Sequence, residues 1–308
     1  MNCLELETVN CPVCNSRDWV EVYFSKDYLF TQDQFTVVCC TSCALLYTNP
    51  RVPEDKIENY YFNNYFSYQK KDSGGILKKI KQKINNNSRD FRQSLLKSLK
   101  STSARNILEI GPGNGELLFF LKEQGFCVTG IELYKECVDK IKENNISCYL
   151  GDLDDAYDKI SAKKYDAIIY HHVFEHLYNP ISSLEKVYNL LRENGRLYIA
   201  LPNNRSLEAK IFGKYWKGLD LPRHIVHYDS KSIVKILDSM GFRVEKINAG
   251  IFPSSFIESI GFMFLKQNKL PKFLYLLLYY PYKLFQCCFI GLTGSGIMEI
   301  TAKKKDRD

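Results

Sequence analysis

The 308-residue sequence predicts an α/β fold in which strands alternate with helices, with a small metal-binding module ahead of it. Three observations carry the prediction. An apolar strand from Ile107 runs into the turn Gly111-Pro112-Gly113-Asn114-Gly115, and a helix follows at once from Glu116 to Gln124. Two more apolar strands, Phe126 to Ile131 and Ile146 to Leu150, each lead into a carboxylate, Glu132 and Asp152. Near the start, two Cys-x-x-Cys pairs are separated by 25 residues.

The module comes first. Cys11-Pro12-Val13-Cys14 and Cys40-Thr41-Ser42-Cys43 are knuckles able to close a tetrahedral zinc site, with Cys39 an alternative ligand at poorer spacing. Four thiolates complete a structural zinc and leave no open position, so the metal should fold the segment and take no part in chemistry. Trp19 to Phe24 and Phe35 to Val38 have strand character, which makes residues 1–50 a zinc ribbon. Such ribbons serve nucleic-acid or protein surfaces, so the motif leaves its partner open.

Residues 51–103 read as an aromatic-rich helical linker. Asn59 to Tyr68 holds four tyrosines and two phenylalanines, expected as a helix packed over the mouth of the ligand site. Base stacking would need basic neighbours on the same face, and these begin only at Lys70. Asp72-Ser73-Gly74-Gly75 marks a hinge, Lys78 to Lys83 a solvated basic face, and Phe91, Leu95, Leu96 and Leu99 give helical spacing over Asp90 to Lys100.

The glycine turn narrows the ligand. Bare backbone at Gly111, Gly113 and Gly115 lets a ligand approach without meeting a Cβ. A dinucleotide fingerprint needs another glycine three residues after Gly113, where this chain has Glu116. Glu109, two positions before the first glycine, suits a cationic amino-acid group better than a diphosphate. Glu132, 21 residues after Gly111, stands where such folds hold a ribose diol.

On these residues the chain resembles the class I S-adenosylmethionine-dependent methyltransferases, whose first motif is a strand ending in Glu/Asp-x-Gly-x-Gly-x-Gly. Gly151-Asp152-Leu153 resembles the adenine-side acidic motif of that family, and Tyr165 to Tyr170 its fourth strand. Asn179-Pro180 starts a helix that Gly195 stops; Arg196 to Leu201, Phe242 to Asn248 and Ile297 to Ala302 supply the remaining strands. The resemblance covers residues 104–250 and the last strand. It implies a Rossmann-like seven-stranded methyltransferase sheet over residues 104–308. It also implies S-adenosyl-L-methionine held by Glu109, Gly111, Gly113, Gly115, Glu132 and Asp152.

Reacting groups in open α/β sheets gather beyond the carboxyl ends of the strands, where this chain has His171-His172-Val173-Phe174-Glu175-His176. Methyl transfer is an in-line displacement, so the protein must align the acceptor and take its proton or bind it through a metal. His171 and His172 are the better placed bases, while Glu175 and His176 can also serve as buried structural partners. His172, Glu175 and His176 have i, i+3, i+4 spacing, and His224 or His227 could complete a second, divalent metal site. The pattern is similar to the Glu-x-x-Glu-His arrangement of small-RNA and ubiquinone-pathway O-methyltransferases. His172 replaces its first glutamate, which lowers the hard-oxygen donor count and disfavours magnesium.

The stretch Trp216 to His224, with Asp229 as the N-cap of the next helix, resembles the acceptor-side insertion of bacterial methyltransferases that carry an N-terminal zinc ribbon. That group is associated with surface-glycan and secondary-metabolite pathways. Trp216 offers a surface for a sugar or aromatic ring, and Arg223 can grip phosphate or carboxylate; a core ring and an ion pair are the competing readings.

Residues 251–295 form an apolar helical insertion before the last strand. Pro281 and Lys283 break the apolar run below the length of about 20 residues that spans a bilayer. The insertion therefore suits a membrane surface, with Lys266, Lys269, Lys272 and Lys283 at the headgroups, or a homodimer contact or lid. A net charge of +7, concentrated partly in Lys78–Lys83 and Lys303–Lys305, does not call for nucleic acid. Met1 to Asn10 lacks a secretory apolar run, and eleven cysteines suit a reduced compartment, so a cytoplasmic protein, peripheral at the inner membrane face if at all, is expected.

These readings converge on methyl transfer to oxygen of a small molecule or glycan, lipid-linked if the insertion meets a membrane, assisted by His171 or His172. The alternatives are an RNA methyltransferase, disfavoured because no Asn/Asp-Pro-Pro-Tyr motif follows the fourth strand, and a non-catalytic cofactor-binding scaffold.

Overall fold

The computed structural model describes residues 5–61, 87–250, 252–265, 272–293 and 296–305. Most of the aromatic stretch, the hinge at Asp72 and the basic run from Lys78 lie outside the described residues.

The N-terminal segment folds as β1 (Trp19–Lys26), β2 (Gln34–Cys40) and the short β3 (Leu46–Thr48), paired antiparallel in that order. Asp27 makes the turn after β1: its carboxylate accepts the amides of Leu29, Phe30 and Thr31 at 3.0, 3.3 and 3.2 Å. After the helix α1 (Asn87–Ser101) the chain alternates β4 (Asn106–Ile110), α2 (Glu116–Glu123), β5 (Cys127–Glu132), α3 (Lys135–Glu143), β6 (Ser147–Leu150), α4 (Leu153–Ile160), β7 (Tyr165–His171), α5 (Pro180–Leu190) and β8 (Leu191–Pro202). It continues through α6 (Leu207–Phe212), β9 (Val226–His227), α7 (Ser230–Ser239), β10 (Phe242–Gly250), α8 (Pro253–Ile260), α9 (Lys272–Thr293) and β11 (Ile297–Lys304).

Seven strands form one sheet in the order β10-β11-β8-β7-β4-β5-β6. The strands from β8 to β6 run parallel, and β11 inserts antiparallel to both neighbours. Local chemistry explains the elements. β4 and β7 are nearly continuous apolar runs because helices cover both of their faces. Phe91, Leu95 and Leu99 of α1 cover one face over Ile107, Ala167, Ile169 and Ala200. Capping boxes at Asp152/Asp155 and Asp229/Ser232 start α4 and α7, and Pro180 occupies the first turn of α5.

One boundary differs from expectation. α5 ends at Leu190, not at Gly195, and pairing between β7 and β8 jumps from Tyr165↔Leu191 to Ala167↔Arg196. Gly195 serves the loop packed into that jump: a Cβ there would lie 2.8 Å from the Arg192 carbonyl oxygen. The insertion also differs in form, because α9 runs on through Pro281. Its Leu277, Tyr280 and Leu284 face outward, while Tyr282 and Gln286 donate to the buried Glu208 of α6 at 2.9 and 3.0 Å. Among the described residues no helix is long and apolar enough to cross a membrane.

The ribbon sheet is completed from far along the chain. β9 adds to the edge of β3, pairing Leu46 with His227 and Tyr47 with Val226. Cys11, Val38, Cys40, Leu45 and Tyr47 share one hydrophobic core with Leu108, Phe174, Ile225 and Tyr228.

Candidate active site

The ends of β4, β5 and β7 bring the first group of expected residues together. Gly111, Gly113 and Gly115 all have left-handed backbone, at φ 70, 53 and 78°. A Cβ on Gly111 would fall 2.5 Å from Val173 Cγ2, so the glycine turn and the histidine loop touch at this point. The buried Glu132 accepts the Gly113 amide at 2.8 Å and the Tyr134 amide at 3.1 Å, which fixes the turn against the end of β5.

Glu109 is the most exposed to electrostatic cost. It is buried, its Oε2 has no hydrogen-bond partner among the described residues, and burial pushes its carboxyl up to about 8 despite the nearby Arg92 guanidinium. A carboxylate in that state gains most from a cationic partner, and the α-ammonium of S-adenosylmethionine is such a group. Asp152 stands apart on the surface, and its carboxylate caps α4 by accepting the Asp155 amide at 2.8 Å. The turn, Glu109 and Glu132 together fit a cofactor that carries an amino-acid moiety and a ribose.

The second group surrounds Glu175. This side chain is 1 % exposed, and neither carboxylate oxygen has a hydrogen-bond partner among the described residues. Burial would raise its pKa, but His172, His176 and His224 overcome that and hold it down at about 2. His172 Nδ1 lies 3.4 Å from Glu175 Oε1, and His224 Nε2 lies 3.9 Å from the same oxygen. His172 has left-handed backbone at φ 57°, uncommon for a residue other than glycine, and its side chain is 35% exposed.

The other two rings each meet a backbone carbonyl oxygen. His176 Nδ1 is 2.9 Å from the Arg223 carbonyl oxygen and His224 Nδ1 is 2.8 Å from the Gly218 carbonyl oxygen. A carbonyl only accepts, so His224 Nδ1 carries the proton and its Nε2 keeps its lone pair, whereas His176 Nδ1 also lies 2.9 Å from the Tyr61 hydroxyl, which can donate as well as accept. Burial lowers both imidazoles, His224 to about 4. Glu175, His176 and His224 offer donor atoms all within 4.8 Å of one another, a set compatible with a divalent ion. His227 is not in this set; its Nε2 instead meets Thr48 Oγ1 at 3.2 Å. His171 stacks on Phe91 at 4.5 Å between centroids, and burial pushes it down to about 3.

Sequence reasoning missed the role of the Arg223 region. Arg223 binds no external anion: its guanidinium is 0 % exposed and donates to Asp27 Oδ1 at 2.9 Å and Asp220 Oδ1 at 3.0 Å. Against the upward push of burial, Arg223 and Lys217 hold Asp220 well below the usual carboxylate range. Trp216 is likewise a core ring, packed with Phe35, Leu219 and Leu221. The i, i+3 spacing of Asp220 and Arg223 is visible in the sequence, but nothing there marks Asp27 as their partner.

The four module cysteines meet as their spacing requires. Cys11 Sγ lies 3.6 Å from Cys43 Sγ, Cys14 Sγ lies 3.5 Å from Cys40 Sγ, and all four lie within 4.8 Å of one another. Four thiolates at Zn–S bonds of ~2.3 Å would stand about 3.8 Å apart, so the cluster is compatible with zinc. Burial raises Cys11 to about 11, whereas the amides of Cys43 and Ser42 overcome burial at Cys40 and hold it at about 7. Cys39 points elsewhere, toward the Cys40 carbonyl oxygen.

No curated protein sequence matches the chain. Among solved structures, an S-adenosylmethionine-dependent methyltransferase from Archaeoglobus fulgidus is 21% identical with a TM-score of 0.47, over 69% of this chain and 94% of that one. The plantazolicin methyltransferase BamL, solved with S-adenosylhomocysteine, is 18% identical at TM-score 0.48, over 72% and 85%. The N-methyltransferase NodS from Bradyrhizobium japonicum is 14% identical at 0.47, over 72% and 89%. The family described as "Methyltransferase domain" matches residues 77–247, more than half of the chain. With that match and the sheet order above, the chain belongs to the methyltransferase-domain family, as a class I S-adenosylmethionine-dependent methyltransferase.

Proposed function

We propose that this enzyme methylates oxygen on a small-molecule or glycan acceptor, with His172 as the general base. The observation that carries the reading is the buried Glu175 carboxylate ringed by His172, His176 and His224, two residues after the Val173 that Gly111 meets. When bound, S-adenosylmethionine supplies a methyl group on a sulfonium whose carbon–sulfur bond breaks as the new carbon–oxygen bond forms.

The chain supplies position and proton handling. Glu109 holds the cationic amino group, Glu132 the ribose side, and the three glycines admit the cofactor to the strand ends. Glu175, 3.4 Å from His172 Nδ1, favours the tautomer with the proton on that nitrogen, which leaves Nε2 to take the acceptor proton. His171, stacked and pushed down to about 3, is a weaker base. Asp152 is assigned to the adenine side by resemblance alone.

The zinc assignment to Cys11, Cys14, Cys40 and Cys43 and the division into ribbon, linker and catalytic part are proposals of the same standing. So is contact of residues 251–295 with a membrane face or a second copy, supported by the outward Leu277, Tyr280 and Leu284. The cytoplasm is the proposed compartment.

A second reading has a divalent ion in the catalytic centre, favoured by the donor atoms of Glu175, His176 and His224. Its nitrogen-rich set suits zinc, iron or nickel better than magnesium. The deciding experiment is release of S-adenosylhomocysteine with a panel of phenols, sugars and glycans, run with and without chelator. His172→Ala should lower turnover about 10²- to 10⁴-fold and leave cofactor affinity unchanged. Equal rates would remove His172 from the chemistry. Turnover on RNA alone, or none with tight cofactor binding, would favour the RNA or scaffold alternative.

A further inference from the structure

The chain has five histidines, and all of them, His171, His172, His176, His224 and His227, lie in the Glu175 cluster or on the strand beside it. What holds the second pair comes from the ribbon. Thr48 on β3 donates its amide to the Ile225 carbonyl oxygen at 2.9 Å, and Ile225 in turn donates its amide to the Glu175 carbonyl oxygen at 2.9 Å. Thr48 Oγ1 donates to the His224 carbonyl oxygen at 3.0 Å. With its proton spent there, Thr48 Oγ1 accepts from His227 Nε2 at 3.2 Å, which sets that ring in the Nε2–H tautomer.

A second bridge runs through Arg223. Asp27, in the turn after β1, takes the Arg223 guanidinium, and the Arg223 carbonyl oxygen lies 2.9 Å from His176 Nδ1. The first bridge begins close to the thiol cluster, and the second begins at the other end of the same hairpin, where Lys26 pairs with Gln34 while Trp19 pairs with Cys40. Cys43 precedes β3 by three positions, and the Cys40 amide donates to the Leu45 carbonyl oxygen at 2.9 Å. Tyr228, which follows β9, shares the core of Cys11 and lies against the Phe174 ring at 5.3 Å between centroids.

We propose that the ribbon is a wall of the acceptor side of the catalytic centre, with Thr48 and Asp27 as positioning residues that set His224 and His176 around Glu175 and His227 on the strand beside them. The inference rests on reading that cluster as the acceptor side. A module tethered for nucleic-acid capture would keep its own edge strand and core; here β3 pairs with β9, and the cysteines share the core of the catalytic sheet. Zinc on the four thiolates would fix the ribbon frame from which the bridges hang.

The histidine count makes this testable without an acceptor, since every imidazole signal comes from the site. The full chain, isotope-labelled at histidine nitrogen and loaded with zinc and S-adenosylhomocysteine, should show the Nδ1–H tautomer at His224 and Nε2–H at His227. Thr48→Val keeps the backbone bond and should retain one zinc per chain and wild-type S-adenosylhomocysteine affinity. It should nonetheless replace the single His227 tautomer with an averaged signal and shift His224, and Thr48→Ser should restore both. Chelating the zinc should move His176, His224 and His227 more than His171 and His172. Imidazole signals indifferent to Thr48→Val and to chelation would overturn the proposal. If chelation unfolds the chain, the Thr48→Val arm decides; if Thr48→Val fails to fold, Asp27→Asn is read at His176 by the same criterion. Failure of the wild type to bind S-adenosylhomocysteine would instead sink the cofactor reading and leave the histidine result standing.

Discussion

Arg223 and Asp27 form an ion pair with both side chains at 0 % exposure, although 196 residues separate them in the chain. Removing one partner strands the other charge in the core. Asp27→Ala should therefore cost about 3–5 kcal/mol of stability, measured by urea denaturation, because the buried guanidinium would lose one of its carboxylate partners. A loss within the range of a surface substitution would mean that the pair is hydrated in solution.

The raised Glu109 carboxyl gives a pH dependence with a definite sign. Between 4.5 and about 8 the folded chain holds a proton that the unfolded chain has released, so this group's stabilising share is whole below pH 4.5 and is lost as pH rises through about 8. Cofactor binding runs the other way, since the ammonium group needs the ionised form. S-adenosylmethionine affinity by calorimetry should climb up to about tenfold per pH unit and level off above pH 8, and Glu109→Gln should flatten the curve and weaken binding about ten- to hundredfold. A flat wild-type curve would place the ammonium elsewhere.

Gly111→Ala tests the contact between the two halves of the centre. The left-handed backbone alone should cost about 1–2 kcal/mol, and the added methyl also meets Val173 Cγ2 at 2.5 Å. Combining it with Val173→Ala should recover part of the lost stability and cofactor binding. Strict additivity of the two changes, scored by thermal unfolding and calorimetry, would show that they do not touch.

Cys11→Ser should reduce zinc from one per chain toward none and loosen the N-terminal segment, read by metal analysis and limited proteolysis. Full zinc retention would reject the four-cysteine assignment.

Much of the catalytic sheet was legible because its signals are local. Gly111, Gly113 and Gly115 stand in consecutive alternate positions after an apolar run, and the parallel strands are short apolar blocks bounded by turns. The cysteine cluster was equally plain, since two knuckles carry their own spacing. What stayed hidden depends on partners far away in sequence. Arg223 and Trp216 have the chemistry of ligand-binding groups, and only the positions of Asp27 and of Phe35 turn them into core residues. The choice of His224 over His227 beside Glu175 was hidden for the same reason, because β9 pairing with β3 turns them to different neighbours. Gly195 misled because a glycine after a helical pattern reads as a stop, whereas here it relieves a crowded loop.

The edge pairing of β3 with β9 also sets a clock for synthesis. Thr48 leaves the ribosome 179 residues before His227, which at common elongation rates is roughly 10–40 s. Throughout that interval the cysteine knuckles are in solvent with metal within reach, and the open edge of β3 has no strand to meet. Metal capture can thus precede docking on the nascent chain, and the last of the five histidines arrives onto an edge that is already folded.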